Sequence, residues 1–170
     1  MQHSFSRALA MLVAGAALVA SFSALALAPA KEKVILTITG KIADKNTPSA
    51  AVFDLAMLKA LPQQTFTTMT PWDKKPITFS GPLLRDVLAA AKASGTTIKA
   101  AALNDYQTSI PLADAQNFDV IVAHTMNGEA IPVKTKGPLF IVYPFDTKAE
   151  LRATTYYERS AWQLKSMAIE

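Results

Sequence analysis

The sequence contains no cysteine and only two histidines among its 170 residues. The absence of thiols excludes a thiolate nucleophile, a thiolate metal ligand and a redox pair. His3 lies at the amino terminus and His124 stands alone in an apolar segment, so neither belongs to a zinc-binding cluster. A Gly-x-Ser-x-Gly elbow, typical of many serine hydrolases, is also missing. We therefore predict no catalytic residues and no metal ligands, and we expect His124 to be a packed side chain with one hydrogen bond.

Only one hydrophobic run approaches the length of a membrane span, and it lies at the amino terminus. Arg7 precedes the apolar residues 8–20, and small residues follow up to Ala30. This order is typical of a cleaved secretory signal peptide, and an uncleaved membrane anchor is the alternative. We predict a signal peptide over residues 1–30, one domain over residues 31–170, and export to a periplasm.

Basic residues exceed acidic residues only slightly, at 17 to 13, which gives a net charge of +4. The lysines are spread along the chain and do not form the clustered basic face of a nucleic-acid-binding protein. We therefore expect no nucleic-acid partner. About 140 residues remain after the leader, which is the usual size of one domain with its own core.

Strand and helix patterns follow each other without regular alternation along the rest of the chain. Apolar and polar residues alternate over residues 33–42, as in a half-buried strand, and Asn127-Gly128 is the strongest hairpin signal. Apolar residues at helical spacing predict helices over residues 54–61 and 82–93. We predict an α+β fold of mixed, mainly antiparallel β structure with a few short helices. Further strands are predicted over residues 64–68, 76–80, 97–103, 106–110, 120–125, 130–133, 139–142 and 162–169, and helical turns over 111–116 and 147–153.

Five segments carry a resemblance to a known family. They are residues 79–88 (FSGPLLRDVL), 102–106 (ALNDY), 127–131 (NGEAI), 136–144 (KGPLFIVYP) and 162–164 (WQL). In this order they resemble the molybdopterin-binding domain of the sulfite-oxidase-like superfamily, and most nearly its small periplasmic pterin-binding members. The resemblance extends over nearly all of the chain after the leader and implies the fold of that superfamily.

One departure from the family pattern concerns the metal. Catalytic members of the superfamily hold molybdenum through a cysteine thiolate upstream of the Gly-x-x-Leu segment. Residues 67–70 (Thr-Thr-Met-Thr) occupy that stretch here, and the thioether of Met69 is only a weak, neutral donor. The resemblance therefore implies a pterin or molybdopterin as a bound ligand, without molybdenum chemistry.

The expected ligand defines the residues that its site needs. A pterin is a flat heteroaromatic with an amide-like edge, so it needs aromatic surfaces for stacking and polar groups for the edge. Trp72 and Tyr106 are candidates for stacking. Asn104 and Asp105 are candidates for pairing with the edge, or for a simple turn, while Trp162 is expected in the core. The other predicted ligand-binding residues are Tyr143 as a wall or hydroxyl, Gly137 for close backbone approach, and Lys136, Lys134 and Arg159 for a phosphate or polyol tail.

Two of these residues have an alternative interpretation. Lys136 is equally compatible with an ordinary exposed lysine beside a turn. Arg159 is compatible with a surface ion pair to Glu158 or Asp146, an arrangement that contributes little to stability.

The predicted function is that of a periplasmic pterin-binding receptor or carrier without turnover of its own. The resemblance implies that such proteins can report ligand state to a membrane-bound signalling enzyme, including enzymes that make or degrade cyclic di-GMP. The alternative is a molybdopterin-dependent oxidoreductase with atypical metal ligation. A third possibility is a structural interaction domain whose pocket has closed.

Overall fold

Three β-sheets account for most of the regular structure in residues 27–170. The computed structural model describes residues 27–170, so nearly all of the predicted signal peptide lies outside the described residues. No helix within the described range has the length and hydrophobicity needed to cross a membrane. The strands are β1 Leu36–Gly40, β2 Ala51–Phe53, β3 Gln63–Thr68, β4 Ile77–Pro82, β5 Thr97–Ala102, β6 Gln107–Pro111, β7 Ile121–Ala123, β8 Thr125–Met126, β9 Glu129–Ala130, β10 Phe140–Val142 and β11 Leu164–Ile169.

The largest sheet has five strands in the order β2-β1-β11-β5-β6. Only the pair β1 and β11 is parallel, and the other three pairs are antiparallel. Leu36 and Ile38 of β1 are fully buried, whereas Thr37 and Thr39, which alternate with them, are half-buried, so one face of the sheet covers the core. This alternation agrees with the strand predicted around residues 33–42.

Two smaller sheets complete the β structure. One pairs β7 with β10, and the other has the order β3-β4-β8-β9. The hairpin predicted at Asn127-Gly128 is confirmed, because both residues have positive φ (52° and 85°) and join β8 to β9. The single strand predicted over residues 120–125 is divided at His124, since β7 pairs with β10 and β8 with β4.

Four short α-helices pack against the sheets in the described part of the chain. They are α1 Leu55–Ala60, α2 Leu84–Ala90, α3 Leu112–Asn117 and α4 Thr154–Arg159, with a 3-10 helix at Ala149–Arg152. Together with the mainly antiparallel strands, they confirm the predicted α+β class.

Several predicted boundaries differ from the structure. Helix α2 is shorter than the predicted 82–93, because Pro82 pairs with Gln63 in the β3–β4 ladder and Lys92 has a φ of 47°. Helix α4 was not predicted. Strand β11 begins two residues later than predicted, because Gln163 has a φ of 51° and interrupts the extended backbone.

One continuous core joins the three sheets. Its largest fully buried side chains include Tyr143 and the phenylalanines Phe53, Phe79, Phe140 and Phe145. The expectation for His124 is confirmed, since it is 8% exposed and its Nε2 lies 2.8 Å from Gln63 Oε1. The Gln63 amide nitrogen donates to backbone carbonyls, so Gln63 Oε1 accepts the proton of His124 Nε2 and leaves Nδ1 as a buried atom without a partner.

Candidate functional site

A cavity of about 250 Å³ opens at one end of the five-stranded sheet. It lies between the β3–β4 loop, the β5–β6 turn and the segment from α4 to β11. Its volume is slightly below the roughly 300–1,000 Å³ of typical small-molecule sites, so it suits a compact ligand. The lining residues are Trp72, Asn104, Tyr106, Tyr157, Glu158, Ser160 and Trp162.

Three aromatic side chains form one wall of the cavity. The ring centroids of Trp72 and Trp162 are 5.1 Å apart at an angle of 75°, and Tyr157 lies 6.1 Å from Trp72. Behind them, Phe140 and Phe145 of the core contact the Trp72 ring at 5.9 and 6.3 Å. The wall is thus supported by the core, while each of its three rings remains half-buried and accessible from the cavity.

An ion pair holds the loop that carries Trp72. Lys136 Nζ donates to Asp73 Oδ2 at 2.7 Å, and Thr70 Oγ1 donates to the same oxygen at 2.7 Å. The Lys136 ammonium also lies 5.8 Å from the Trp72 ring and 6.0 Å from the Trp162 ring. Partial burial alone would raise the pKa of Asp73, but the hydrogen bonds from Lys136 and Thr70 outweigh it and hold this pKa below its ordinary value.

Polar residues from the β5–β6 turn and from α4 also line the cavity. Asn104 Oδ1 accepts a hydrogen bond from Tyr106 N at 3.2 Å, and Asp105 between them has a φ of 66°. The Tyr106 hydroxyl donates to the backbone oxygen of Glu158 at 2.6 Å. This bond ties the turn to α4, and both Asn104 and Glu158 line the cavity.

A buried polar cluster anchors α4 from behind. Tyr143 is fully buried, and its hydroxyl donates to Asp114 Oδ2 at 2.7 Å. Arg159 Nη1 donates to the same oxygen at 2.9 Å, with its guanidinium 5.3 Å from the Tyr156 ring. Burial first, and then the Asp114 carboxylate, raise the pKa of Tyr143 far above its ordinary value, so its hydroxyl stays protonated.

The predicted ligand residues fall into two groups. Trp72, Asn104 and Tyr106 line the cavity, and Lys136 lies against its aromatic wall. The structure does not bring the others to the cavity wall. They are Asp105, Gly137, Tyr143, Arg159 and the exposed Lys134.

Each difference has a physical reason. The Asp105 side chain points into solvent, 92% exposed, because its backbone takes the left-handed conformation of the turn. A Cβ at Gly137 would lie 1.8 Å from the carbonyl oxygen of Ile131, so the close approach that requires glycine is to the chain itself. Tyr143 and Arg159 are engaged by Asp114, which also replaces the predicted surface partners Glu158 and Asp146 for Arg159.

Four lining residues were not predicted for the site: Tyr157, Glu158, Ser160 and Trp162. The first three lie in or beside the unpredicted helix α4, whose sequence Thr-Thr-Tyr-Tyr has weak helix propensity. The alternating pattern of residues 162–169 predicts Trp162 in the core. In the structure it precedes β11, is only half-buried and faces the cavity.

Residues 67–70, where the family resemblance places a metal-binding cysteine in catalytic members, lead to Trp72 of the cavity wall. Thr68 Oγ1 accepts from Asp146 N at 3.1 Å, and Thr70 Oγ1 donates to Asp73, so both hydroxyls have internal partners. The Met69 side chain is 40% exposed. Across residues 27–170, no three side chains of histidine, cysteine, aspartate or glutamate come together in a metal-binding group.

Comparison with known proteins identifies the family. The profile of the oxidoreductase molybdopterin binding domain matches residues 26–147, which is most of the chain. The chain belongs to this family. The match includes Trp72, Asn104 and Tyr106 and ends before α4 and Trp162. No curated protein sequence matches the chain.

A solved structure supports the same fold. The sulfane dehydrogenase SoxCD from Paracoccus pantotrophus superposes with a TM-score of 0.61 at 18% sequence identity. The superposition covers 79% of this chain but only 37% of the SoxCD chain, so this chain spans little more than a third of that protein. At this identity the likeness establishes the fold and leaves the activity open.

The cavity fits part of the family's cofactor. Aromatic surfaces and an amide group suit the flat, amide-edged ring system of molybdopterin. The family therefore implies pterin or molybdopterin binding by this chain. For a metal, however, the whole sequence offers no thiolate donor.

Proposed function

We propose that this chain is a pterin-binding receptor or carrier that performs no molybdenum-dependent turnover of its own. The observation that carries the proposal is a cavity with a supported aromatic wall and a polar edge, in a family member that has no cysteine. Stacking and edge pairing need only the aromatic wall and the polar edge, whereas thiolate ligation of a metal needs a cysteine, which the sequence lacks.

The aromatic wall is suited to stacking without rearrangement. Trp72 and Trp162 meet edge to face, and both rings contact Phe140 and the Lys136 ammonium. A ring system that enters the cavity therefore meets side chains that are already in place. Preorganisation of this kind reduces the entropy that the protein loses on binding.

The polar edge of the ring would face Asn104 and Glu158. An amide group offers both a donor and an acceptor, which matches the lactam part of a pterin. A carboxylate accepts two hydrogen bonds in parallel and matches the adjacent guanidine-like part. We therefore assign to Glu158 the role that the sequence suggested for Asp105.

The nearest cations do not favour a phosphate in this cavity. Lys136 and Arg159 are each committed to a carboxylate, at 2.7 and 2.9 Å, and all four side chains of these two pairs are at most 23% exposed. Binding a phosphate through either cation would leave the partly buried Asp73 or Asp114 without its cationic partner, which is costly. A neutral hydroxylated tail requires no such exchange.

Export to a periplasm and signalling through a membrane-bound partner are parts of the same proposal. The first rests on the leader-like order of residues 1–30. The second rests on the resemblance to small pterin-binding proteins that report ligand state. A receptor without turnover would need a partner of this kind to produce an output.

The proposal is tested by titrating the protein with biopterin and following the quenching of pterin fluorescence. Trp72→Ala and Asn104→Ala should each weaken binding about tenfold, because they remove a stacking surface or an edge contact worth roughly 1–2 kcal/mol. Glu158→Gln should weaken it by a similar factor.

Asp105→Asn is the matched control, since it changes a carboxylate on the same turn outside the cavity, and asparagine tolerates the positive φ. Its affinity for biopterin should equal that of the unaltered protein. Equal affinities in all four variants would contradict the assigned site. Activity with an electron acceptor in molybdenum-loaded protein would favour the alternative, an oxidoreductase with atypical metal ligation.

A further inference from the structure

A second depression, separate from the aromatic cavity, collects exposed apolar side chains. Its volume is about 350 Å³, and Val34, Leu103 and Val133 line it with 41%, 47% and 54% of their surfaces exposed. Within the described part of the chain only five large apolar residues are this exposed, and three of them meet here. They come from three distant segments of the sequence, so the fold itself assembles the patch. Grouped exposed apolar residues mark interaction surfaces more often than scattered ones do.

The rim of this depression is basic. Lys33 and Lys165 line it, and none of its lining residues is acidic. Asp105 approaches Lys165 from outside at 3.4 Å, but the aspartate side chain is 92% exposed, so this pair is weak and easily exchanged. We call the depression formed by Lys33, Val34, Leu103, Val133 and Lys165 the basic groove.

A single strained residue connects the basic groove with the aromatic cavity. Gln163 follows Trp162 and has a φ of 51°, a conformation retained only where the surroundings enforce it. Its backbone oxygen accepts from Leu103 N at 2.8 Å, and its side-chain amide donates to Val133 O at 2.7 Å. Its backbone N–H donates to Lys136 O at 2.8 Å. Leu103 and Val133 of the groove are thus bonded to Gln163, the residue next to Trp162 of the cavity.

We propose that the basic groove is a docking surface for a segment of another protein that carries apolar side chains beside carboxylates. The apolar residues supply buried area, and the two lysines select an acidic partner. A second copy of this chain fits less well, because a symmetric contact would bring the lysines of both copies together. The link between groove and cavity through Gln163 rests on the proposed function, whereas the docking surface does not.

The test is selection of a displayed library of random twelve-residue peptides on the full chain. Selected peptides should combine aspartate or glutamate with leucine, isoleucine, valine or phenylalanine. Their affinity should fall at least fivefold in Leu103→Ser and at least threefold in Lys33→Glu, and the second loss should shrink at high salt. The control Lys75→Glu reverses an exposed charge elsewhere and should bind as the unaltered protein does.

Several results would overturn the docking surface. They are the absence of enriched peptides, a basic consensus, and equal binding by Leu103→Ser. Concentration-dependent dimers that disappear in Leu103→Ser would assign the groove to a second copy, and binding to phosphatidylglycerol vesicles without peptide binding would assign it to a membrane.

The link between the basic groove and the aromatic cavity is measured separately, as the change in peptide affinity when biopterin is added. A change in the unaltered protein that is lost in Gln163→Ala supports the link, and equal affinities contradict it. Failure of biopterin to bind would count against the proposed function, and the peptide selection would still decide the docking surface.

Discussion

Replacing Lys136 with methionine should destabilise the protein even when no ligand is present. The substitution keeps most of the side-chain volume but removes the ammonium that bonds Asp73 at 2.7 Å. Asp73 would then retain only the hydroxyl of Thr70 among its present side-chain partners. The loop that carries Trp72 would lose its charged attachment to the rest of the aromatic wall.

The expected magnitude follows from the exposure of the pair. A hydrogen bond to a charged group contributes about 1.5–3 kcal/mol, and side-chain exposures of 18% and 23% place this pair between surface and core. The contact of the ammonium with the two indole rings adds about 0.5–1 kcal/mol. We therefore expect a loss of about 2–3 kcal/mol, or about 5–10 °C in Tm for a domain of this size.

Urea unfolding followed by circular dichroism measures this loss, with Asp73→Asn and the double variant completing a thermodynamic cycle. The sum of the stability losses in the two single variants should exceed the loss in the double variant by more than 1 kcal/mol. Because the folded pKa of Asp73 lies below its ordinary value of 3.8, the ion pair contributes stability above that pH, and this contribution is lost as the pH falls further. The difference between the unaltered protein and Lys136→Met should therefore shrink below about pH 4.

A loss below about 0.5 kcal/mol in Lys136→Met, at neutral pH and without ligand, would refute this reasoning. Lys136 would then be an ordinary surface lysine or a group reserved for the ligand. Additive losses in the cycle would lead to the same conclusion.

Three further perturbations test the packing around the site. Gly137→Ala should cost at least about 3 kcal/mol, because its Cβ would meet Ile131 O, whereas Gly128→Ala has open space and should cost only about 1 kcal/mol from its positive φ; urea midpoints compare the two. Tyr143→Phe should cost about 2 kcal/mol in the same assay, since it removes the buried bond to Asp114, and an unchanged midpoint would contradict that role. Burial, and secondarily Lys59, lower the pKa of His124 in the folded protein, so stability should fall as the pH drops below the ordinary value of 6.5. The variant His124→Gln should show a smaller change of stability between about pH 7.5 and 5.5. An equal change in the variant and the unaltered protein would contradict the assignment to His124.

Local sequence signals predicted the parts of the fold that depend on neighbouring residues. Asn127-Gly128 forms the expected hairpin because asparagine and glycine readily adopt the positive φ that a two-residue hairpin turn requires. Strand β1 followed from its alternation. The stacking candidate Trp72 and the turn residues Asn104 and Tyr106 also reached the cavity.

Features that depend on contacts with distant parts of the chain were not predicted from the sequence. Helix α4 has weak propensity and is held through Arg159 by Asp114, which lies 45 residues earlier in the chain. Glu158 and Tyr157 reach the cavity on that helix. The alternation around Trp162 predicted a strand, but the hydrogen bonds of Gln163 to Leu103 and Val133 turn the backbone there. No local pattern contains such contacts.

The ion pairs of Lys136 with Asp73 and of Arg159 with Asp114 illustrate the same limit for the chemistry of the site. Both residues looked like cations available for a phosphate, because the sequence does not show that Asp73 and Asp114 lie next to them. Of the two tails predicted for the ligand, a phosphate or a polyol, their neutralisation favours the polyol.

The most direct test of the central claim is analysis of the material that the purified protein releases on denaturation. Fluorescence quantifies the pterin, and elemental analysis quantifies molybdenum in the same sample. We predict that the protein releases, or after incubation binds, close to one pterin per chain, with molybdenum far below that ratio. One molybdenum per chain would contradict it, and so would protein that neither carries nor binds a pterin.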